Sequence, residues 1–447
     1  MPKDVIRSPW DGRFVGSAAE GDWSDLDAAL DAAQTAFREW RYRPLPERQR
    51  LLQQIADRID ANREDLAELL HWEVGKPVAM AEAEIRRTAI TFRVAADAAE
   101  HLEISVPQNP WDDRWTHREA DIRWVPRGVV LGFVPYNWPF NLLAHKLAPA
   151  LACGCTVVVK VSPLAPISSM TLCRIVHESG APDGTVNAWN GSNRDAQRAV
   201  TDHRTNVLSF TGSAAVGWKL HALRPAEPAV LEHGGDAFSI VWPGAEIAQS
   251  AEKVAASAFG FAGQVCISTQ HVLVHPSLAG EFEAALVAEA MKPAPYDAPL
   301  VSEIHAERVE AMVQQAVDLG AKVLCGGRRM GNRYEKTVLT EVPPTADIYR
   351  EEVFGPVCTL ERVPDFNGVI SRINQSPHGI QLGLFGGSAV LVDRLIVETK
   401  VPGANWNEPP SVRFDHLPYG GEGRSGLGRE GPLFAMQSMC IPKVQVR

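Results

Sequence analysis

Apolar residues recur at helical spacing near the start of the chain. Leu26, Ala29, Leu30, Ala33, Phe37 and Trp40 follow polar Ser24 and predict a helix over 24–40, closed by a proline-containing turn. A second helix is expected from about Pro46 with the stripe Leu51, Leu52, Ile55 and Ile59, and helical character continues from Glu64 to His71. Between 115 and 124 the pattern alternates around charged residues, as in a half-exposed hairpin, and runs into an apolar strand over 129–134. From there the period switches repeatedly. Helices over 141–152, 167–178, 194–202 and 214–223 interleave with strands over 156–160, 185–189, 206–210 and 229–232. Such alternation predicts a mostly parallel sheet covered on both faces, its strand ends sharing one edge where a ligand crevice forms. A second α/β pattern starts near Phe238, with helices over 247–260, 279–291 and 305–319 and strands over 271–274 and 321–325.

At 447 residues the chain exceeds one comfortable core, so two large domains and a minor element are expected. A formal charge of -10 argues against a broad phosphate-binding surface and so against nucleic acid, but leaves room for a local basic cleft. The opening MPKDVIRSPWDGRF has no apolar signal core, and no apolar run reaches membrane-spanning length, so a cytoplasmic protein is expected. Seven cysteines, an odd number in a long chain, point to reduced thiols. Cys153-Gly154-Cys155 is too tightly spaced for a zinc knuckle and sits in an apolar stretch, so we expect buried small residues and no metal.

Cys266 differs from the other thiols in its setting. It follows Gly263-Gln264-Val265, a turn able to expose sulfur and leave backbone amides free for a developing oxyanion. By residue type alone it fits either a structural thiol or a nucleophile. Glu232 closes an apolar strand, either as a solvated strand end or as a base at a crevice. His233 follows it, and strand alternation lets only one of the two face that crevice. Phe210-Thr211-Gly212-Ser213, with Gly217, joins a strand to a helix where free amides meet a pyrophosphate; the G-x-G-x-x-G fingerprint is absent, and close helix packing also selects glycine.

Taken together these motifs resemble the NAD(P)-dependent aldehyde dehydrogenase superfamily over essentially the whole chain. The signatures are Pro135-Tyr136-Asn137-Trp138-Pro139, Phe210-Thr211-Gly212-Ser213, Glu232-His233-Gly234-Gly235, Gly263-Gln264-Val265-Cys266 and Glu351-Glu352-Val353-Phe354-Gly355-Pro356, followed by Pro418-Tyr419-Gly420-Gly421 and Ser425-Gly426-Leu427-Gly428-Arg429-Glu430. The resemblance implies an α/β fold with a Rossmann-type cofactor domain, an α/β catalytic domain and a small β oligomerisation element. The implied boundaries are 1–107 and 127–234 for the cofactor domain, 108–126 for an oligomerisation hairpin, 235–423 for the catalytic domain and 424–447 for a C-terminal oligomerisation segment.

It also implies roles. Cys266 adds to the aldehyde carbonyl, the Asn137 amide and the Cys266 N–H hold the oxyanion, and Glu232 activates water against the resulting thioester. Lys160 and Glu352 hold the riboses of NAD or NADP, with Lys160 also counted among the catalytic groups; Phe354 and Glu232 lie at the nicotinamide side. Gly212, Ser213 and Gly217 serve the pyrophosphate, with Pro135, Trp138 and Ser162 completing the cofactor cleft. Three departures stand out. Pro163 replaces a glutamate that favours NAD and repels the extra phosphate of NADP, His233 stands where leucine is common, and 292–302 is short.

For substrate, Asn141 and His145 fall one and two turns beyond Asn137 on one helix face, and Arg413 lies in the loop Pro409–His416. Arg413 either grips an anionic tail or pairs with Asp415 at the surface. A short polar aldehyde is expected, anionic ahead of neutral. A coenzyme-A-acylating dehydrogenase and a non-catalytic binding or structural protein are the alternatives. Assembly into a homodimer or homotetramer is expected through the hairpin near 113–126 and the strand near 437–446.

Overall fold

The computed structural model describes residues 3–105, 111–115, 118–293 and 297–447. Its first sheet is six-stranded, in the order Gly426–Leu427, Ala229–Glu232, Thr205–Thr211, Val129–Phe133, Thr156–Lys160, Val186–Trp189. Every pairing is parallel except the antiparallel edge formed by Gly426–Leu427. Val129–Phe133 and Thr156–Lys160 are buried at every position, which is why they read as unbroken apolar runs. Val129, Leu131 and Phe133 pack with Leu26, Leu30 and Ala33 of helix Trp23–Trp40. Val130, Val157 and Val159 face the other way, toward Leu143, Leu147 and Leu172. The two-residue strand period thus feeds two helical layers.

Helix Trp23–Trp40 is capped by Asp22, which accepts the Ser24 and Asp25 N–H groups, so the start signal lies two residues before the expected one. The second sheet has seven strands in the order Lys322–Cys325, Thr337–Thr340, Val357–Arg362, His271–Val274, Phe238–Val241, Gln381–Phe385, Gly403–Trp406, parallel but for the first. Cys153 and Cys155 are buried, as expected. Among the described residues no helix is long and apolar enough to cross a membrane.

The expected hairpin takes another form. Residues 108–110, 116 and 117 lie outside the described residues, and the alternating segment forms one strand, Ala120–Pro126, between Glu103–Ser105 and Cys440–Val446. Alternation signals a half-exposed strand but does not name its partner. The tail 424–447 is likewise mixed: Gly426–Leu427 rejoins the first sheet beside Glu232, and helix Pro432–Met439 packs near Pro139–Cys153 before the last strand.

Candidate active site

Helix Ile247–Phe259 ends in a tight turn in which Phe261 (φ 49°), Ala262 (φ 52°) and Gly263 (φ 69°) all take left-handed backbone. A Cβ on residue 263 would lie 2.0 Å from the Gly355 carbonyl oxygen, so only glycine fits. Gln264 fastens the turn: its side chain donates to the Phe261 and Pro299 carbonyls and accepts from Tyr136 Oη at 3.1 Å and Val301 N at 3.0 Å. Asn137 Nδ2 donates to the Gln264 carbonyl at 2.8 Å. An amide nitrogen carries two hydrogens, so one remains for an oxyanion. The 135–139 loop and the Cys266 turn are therefore one rigid unit.

Helix Pro139–Cys153 is anchored from outside the motifs. Glu84 Oε1 accepts the N–H groups of Phe140 at 2.9 Å and Asn141 at 3.2 Å, while its other oxygen meets buried Lys76. A carboxylate suits the positive end of a helix. Lys76, pushed down to about 8 by burial, lies 3.9 Å above the Trp138 ring.

Cys266 is half-buried, and its Sγ lies 3.0 Å from Tyr419 Oη. Burial pushes the thiol up to about 11. It shares a cavity of about 190 Å³ with Met80, Asn137, Trp138, Leu142, Arg87 and Arg413, among others. A larger cleft of about 560 Å³ near Tyr334 and Lys336 contains none of the motif residues that carry chemistry.

Glu232 stands at the end of the strand beside this cavity, 3% exposed, and neither of its carboxylate oxygens has a hydrogen-bond partner among the described residues. Burial, and then the nearby Glu430, raise it well above the usual carboxylate range. Glu430 itself stays low: burial works against ionisation, but His145, Lys146 and Arg413 outweigh it. Lys146 Nζ is 3.7 Å from Glu430 Oε1 and donates to Ser209 and Thr211. His233 turns away from Glu232, its Nδ1 3.0 Å from the Arg424 carbonyl oxygen and its ring against Phe210 and Trp218. A Cβ at 217 would meet His233 Nε2 at 1.9 Å, so the role visible for Gly217 is to admit this histidine.

The substrate-side residues are placed differently from a simple helix face. Asn141 lines the cavity, accepting from Thr91 Oγ1 at 3.2 Å. His145 does not line it; 1% exposed, it sits behind, with Nε2 3.0 Å from Asp415 Oδ1 and 3.1 Å from Arg413 Nη2. Helical phase puts both on one face but does not set their depth. Arg413 and Asp415 do pair, but with both side chains buried and not at the surface as expected. Arg413 is buried, pairs with Glu430 at 3.1 Å and keeps its Nε 3.9 Å from Asp415. Asp415 also receives both arms of Arg87, at the shorter distances of 2.7 and 3.0 Å. Burial opposes its ionisation, yet the His145 and Arg87 hydrogen bonds hold it far below the usual range.

A dinucleotide would lie along the sheet edge above these groups, and the residues there fit one. Ser213 precedes helix Ala214–Ala222 and makes no side-chain cap, leaving that helix's first amides open, while the Gly212 N–H is taken by the Glu232 carbonyl at 3.0 Å. Lys160 ends its strand 7% exposed, lowered by burial, with Nζ donating to the Val161 carbonyl at 3.2 Å. Ser162 follows, its hydroxyl accepting from Leu164 N at 3.3 Å. From the loop before strand Val357–Arg362 of the second sheet, Glu352, pushed up to about 8 by burial, accepts the Gly235 N–H at 3.2 Å. Phe354, at φ 47°, meets Tyr136 edge-on at 6.2 Å, and Pro135 opens the loop between them.

Sequence reasoning missed Arg87, Lys146, Glu84 and Lys76 altogether, and quoted Tyr419 and Glu430 only as motif letters. Glu430 carried a usable signal, because a carboxylate in a glycine-rich stretch that returns to the first sheet is close to Glu232.

Residues 3–444 match the model of the aldehyde dehydrogenase family. The chain is 33% identical over 434 residues to 3-sulfolactaldehyde dehydrogenase of Priestia aryabhattai, covering 94% of this chain and 90% of that one. Its fold is similar to aldehyde dehydrogenase 21 from Physcomitrella patens, solved with the reaction product succinate, with a TM-score of 0.95, 31% identity and coverage of 100% and 95%. NADP-dependent glyceraldehyde-3-phosphate dehydrogenase from Bacillus halodurans C-125, complexed with NADP, gives a TM-score of 0.95 at 30% identity, with coverage of 100% and 96%.

Proposed function

The chain belongs to the aldehyde dehydrogenase family as an NAD(P)-dependent enzyme, and on that premise we propose that it oxidises a short, anionic aldehyde to the free carboxylic acid through Cys266. Cys266 Sγ adds to the carbonyl carbon, and the free Asn137 amide hydrogen and the Cys266 N–H receive the oxyanion. A bound nicotinamide dinucleotide supplies the hydride acceptor that turns this adduct into a thioester. Glu232, freed of other hydrogen bonds, takes the proton of the water that hydrolyses the thioester; Lys146 favours its ionised form, while the like charge of Glu430 opposes it and so makes Glu232 a stronger base.

One observation carries the substrate class: Arg87 and Arg413 both line the cavity that holds Cys266 and Asn137. Arg87 gives two of its five N–H groups to Asp415 and keeps others at the cavity; a long alkyl chain would cover these without replacing their water, whereas a carboxylate, sulfonate or phosphate accepts from them. The similar proteins named for 3-sulfolactaldehyde and glyceraldehyde-3-phosphate, and the one solved with its product succinate, support the same class. Arg87 is the better probe: its partner is Asp415, whereas Arg413 is paired with Glu430, which acts directly on Glu232. Arg87→Ala is expected to lower kcat/KM for 3-sulfolactaldehyde and succinate semialdehyde by roughly ten- to a hundredfold, the worth of one charged hydrogen bond, and for neutral lactaldehyde much less. Fastest turnover of long aliphatic aldehydes by the parent, or strict dependence on added coenzyme A, would overturn the reading.

For the cofactor we propose that NADP is accepted alongside NAD, because exposed Pro163 presents no charge beside Lys160. Pro163→Glu should cut kcat/KM for NADP by about tenfold through like-charge repulsion while sparing NAD. Steady-state assays with both cofactors check this, and an equal loss for both would argue for mere disruption.

A further inference from the structure

Tyr419 is 7% exposed, and its hydroxyl makes no hydrogen bond among the described residues other than the one to Cys266 Sγ, at 3.0 Å. Its ring is fixed from two sides. The Arg413 guanidinium lies over it, 3.6 Å from the centroid, and Arg413 is itself held by Glu430. Glu430 then exchanges both backbone hydrogen bonds with Tyr419, Tyr419 N donating at 3.1 Å and Glu430 N at 2.6 Å. The hydroxyl is therefore aimed at sulfur and cannot wander. A cation over the ring face draws on its electron density and makes the O–H a better donor.

A thiol can donate or accept, but a thiolate can only accept, so ionisation of Cys266 decides the direction of this contact. We propose that Tyr419 is a further catalytic residue, whose O–H donates to the Cys266 thiolate and keeps a usable fraction of it ionised. The proposal rests on Cys266 being the nucleophile. When the thiol ionises, the S–H bond breaks, its electron pair stays on sulfur and the proton passes to cavity water; the Tyr419 hydrogen stays on its oxygen and turns to sulfur. When sulfur adds to the carbonyl carbon, that pair becomes the C–S bond and the C=O π pair moves to oxygen. The negative charge thus moves from sulfur, beside Tyr419, to the carbonyl oxygen, beside the Asn137 amide.

Four groups face Cys266 from the surrounding elements. Glu352 on the 351–356 loop and Glu232 at the strand end oppose the thiolate, as burial does; Tyr419 and Arg413 favour it. Tyr419 is the one among them in direct contact with sulfur through a proton it can give.

The test uses cofactor-free enzyme alkylated by iodoacetamide across a pH series, with the modified peptide identified by mass spectrometry because Cys325 is also incompletely buried. In Tyr419→Phe the midpoint for Cys266 alkylation should rise by about one to two pH units, reducing thiolate at neutral pH roughly ten- to a hundredfold, the worth of a hydrogen bond to a charged acceptor. Cofactor binding to the variant, followed by fluorescence, reports that the fold persists. An unchanged or lowered midpoint would overturn the proposal, and so would a loss of alkylation that is equal at every pH, the mark of a merely structural role. Blocking Cys266 in the parent separates the two readings. If oxidation survives the block, the nucleophile reading falls and this one with it; if oxidation stops but the midpoint does not move in Tyr419→Phe, only the Tyr419 assignment fails.

Discussion

Replacing Cys266 with alanine is expected to reduce aldehyde oxidation by about 10⁴-fold or more, to the level that binding and oxyanion stabilisation alone sustain. The substitution removes one sulfur atom from a half-buried position, and the neighbouring scaffold does not depend on it. The turn is held by Gly263 and by the Gln264 side chain, and Asn137 bonds the Gln264 backbone, not the thiol. Folding and cofactor affinity should therefore persist. Stopped-flow absorbance should show no burst of reduced cofactor, because the covalent adduct precedes hydride loss. A surviving burst would mean that another group forms the adduct.

Most of the residues that the sequence singled out share a property, sitting where a strand or helix ends, with Asn141, His145 and Gly217 inside helices as the exceptions. Asn137, Lys160, Gly212, Glu232 and Cys266 occupy loop or terminal positions whose neighbours are glycines, prolines and small residues, so the local pattern marks them. Arg87 and Lys146 lie inside helices, and their importance comes from partners far away in the chain. Arg87 meets Asp415 across 328 positions, and Lys146 sits fully buried in a helix that otherwise reads as apolar packing. Periodicity gives the face of a residue but neither its depth nor its remote partner. The same limit explains His145, and it explains the Ala120–Pro126 strand, whose partners come from Glu103–Ser105 and Cys440–Val446. The doubly covered parallel sheet was legible because its strands are apolar on both faces and its crossovers are short.

Glu232→Gln should separate the two halves of the reaction. Glutamine keeps the volume of the side chain and brings no charge into a site that already disfavours it, so packing around Val230 and Leu231 should hold. The first half does not need this carboxylate, and a burst of reduced cofactor close to one equivalent per active site should remain. The second half does need it, and steady turnover should fall by about 10²- to 10³-fold, within the range for a lost general base. The pH dependence follows from the direction of the shift. Burial and then Glu430 raise Glu232, so the protonated form dominates at rest, and only the ionised form accepts a proton from water. In the parent, steady turnover should climb as pH rises toward that elevated value and level off above it, whereas in Glu232→Gln a much lower rate set by hydroxide should climb with pH and show no such plateau. Rapid-mixing measurement of burst and steady rate over a pH series checks both points. Equal loss of burst and steady rate would move Glu232 to the first half, as the base that deprotonates Cys266.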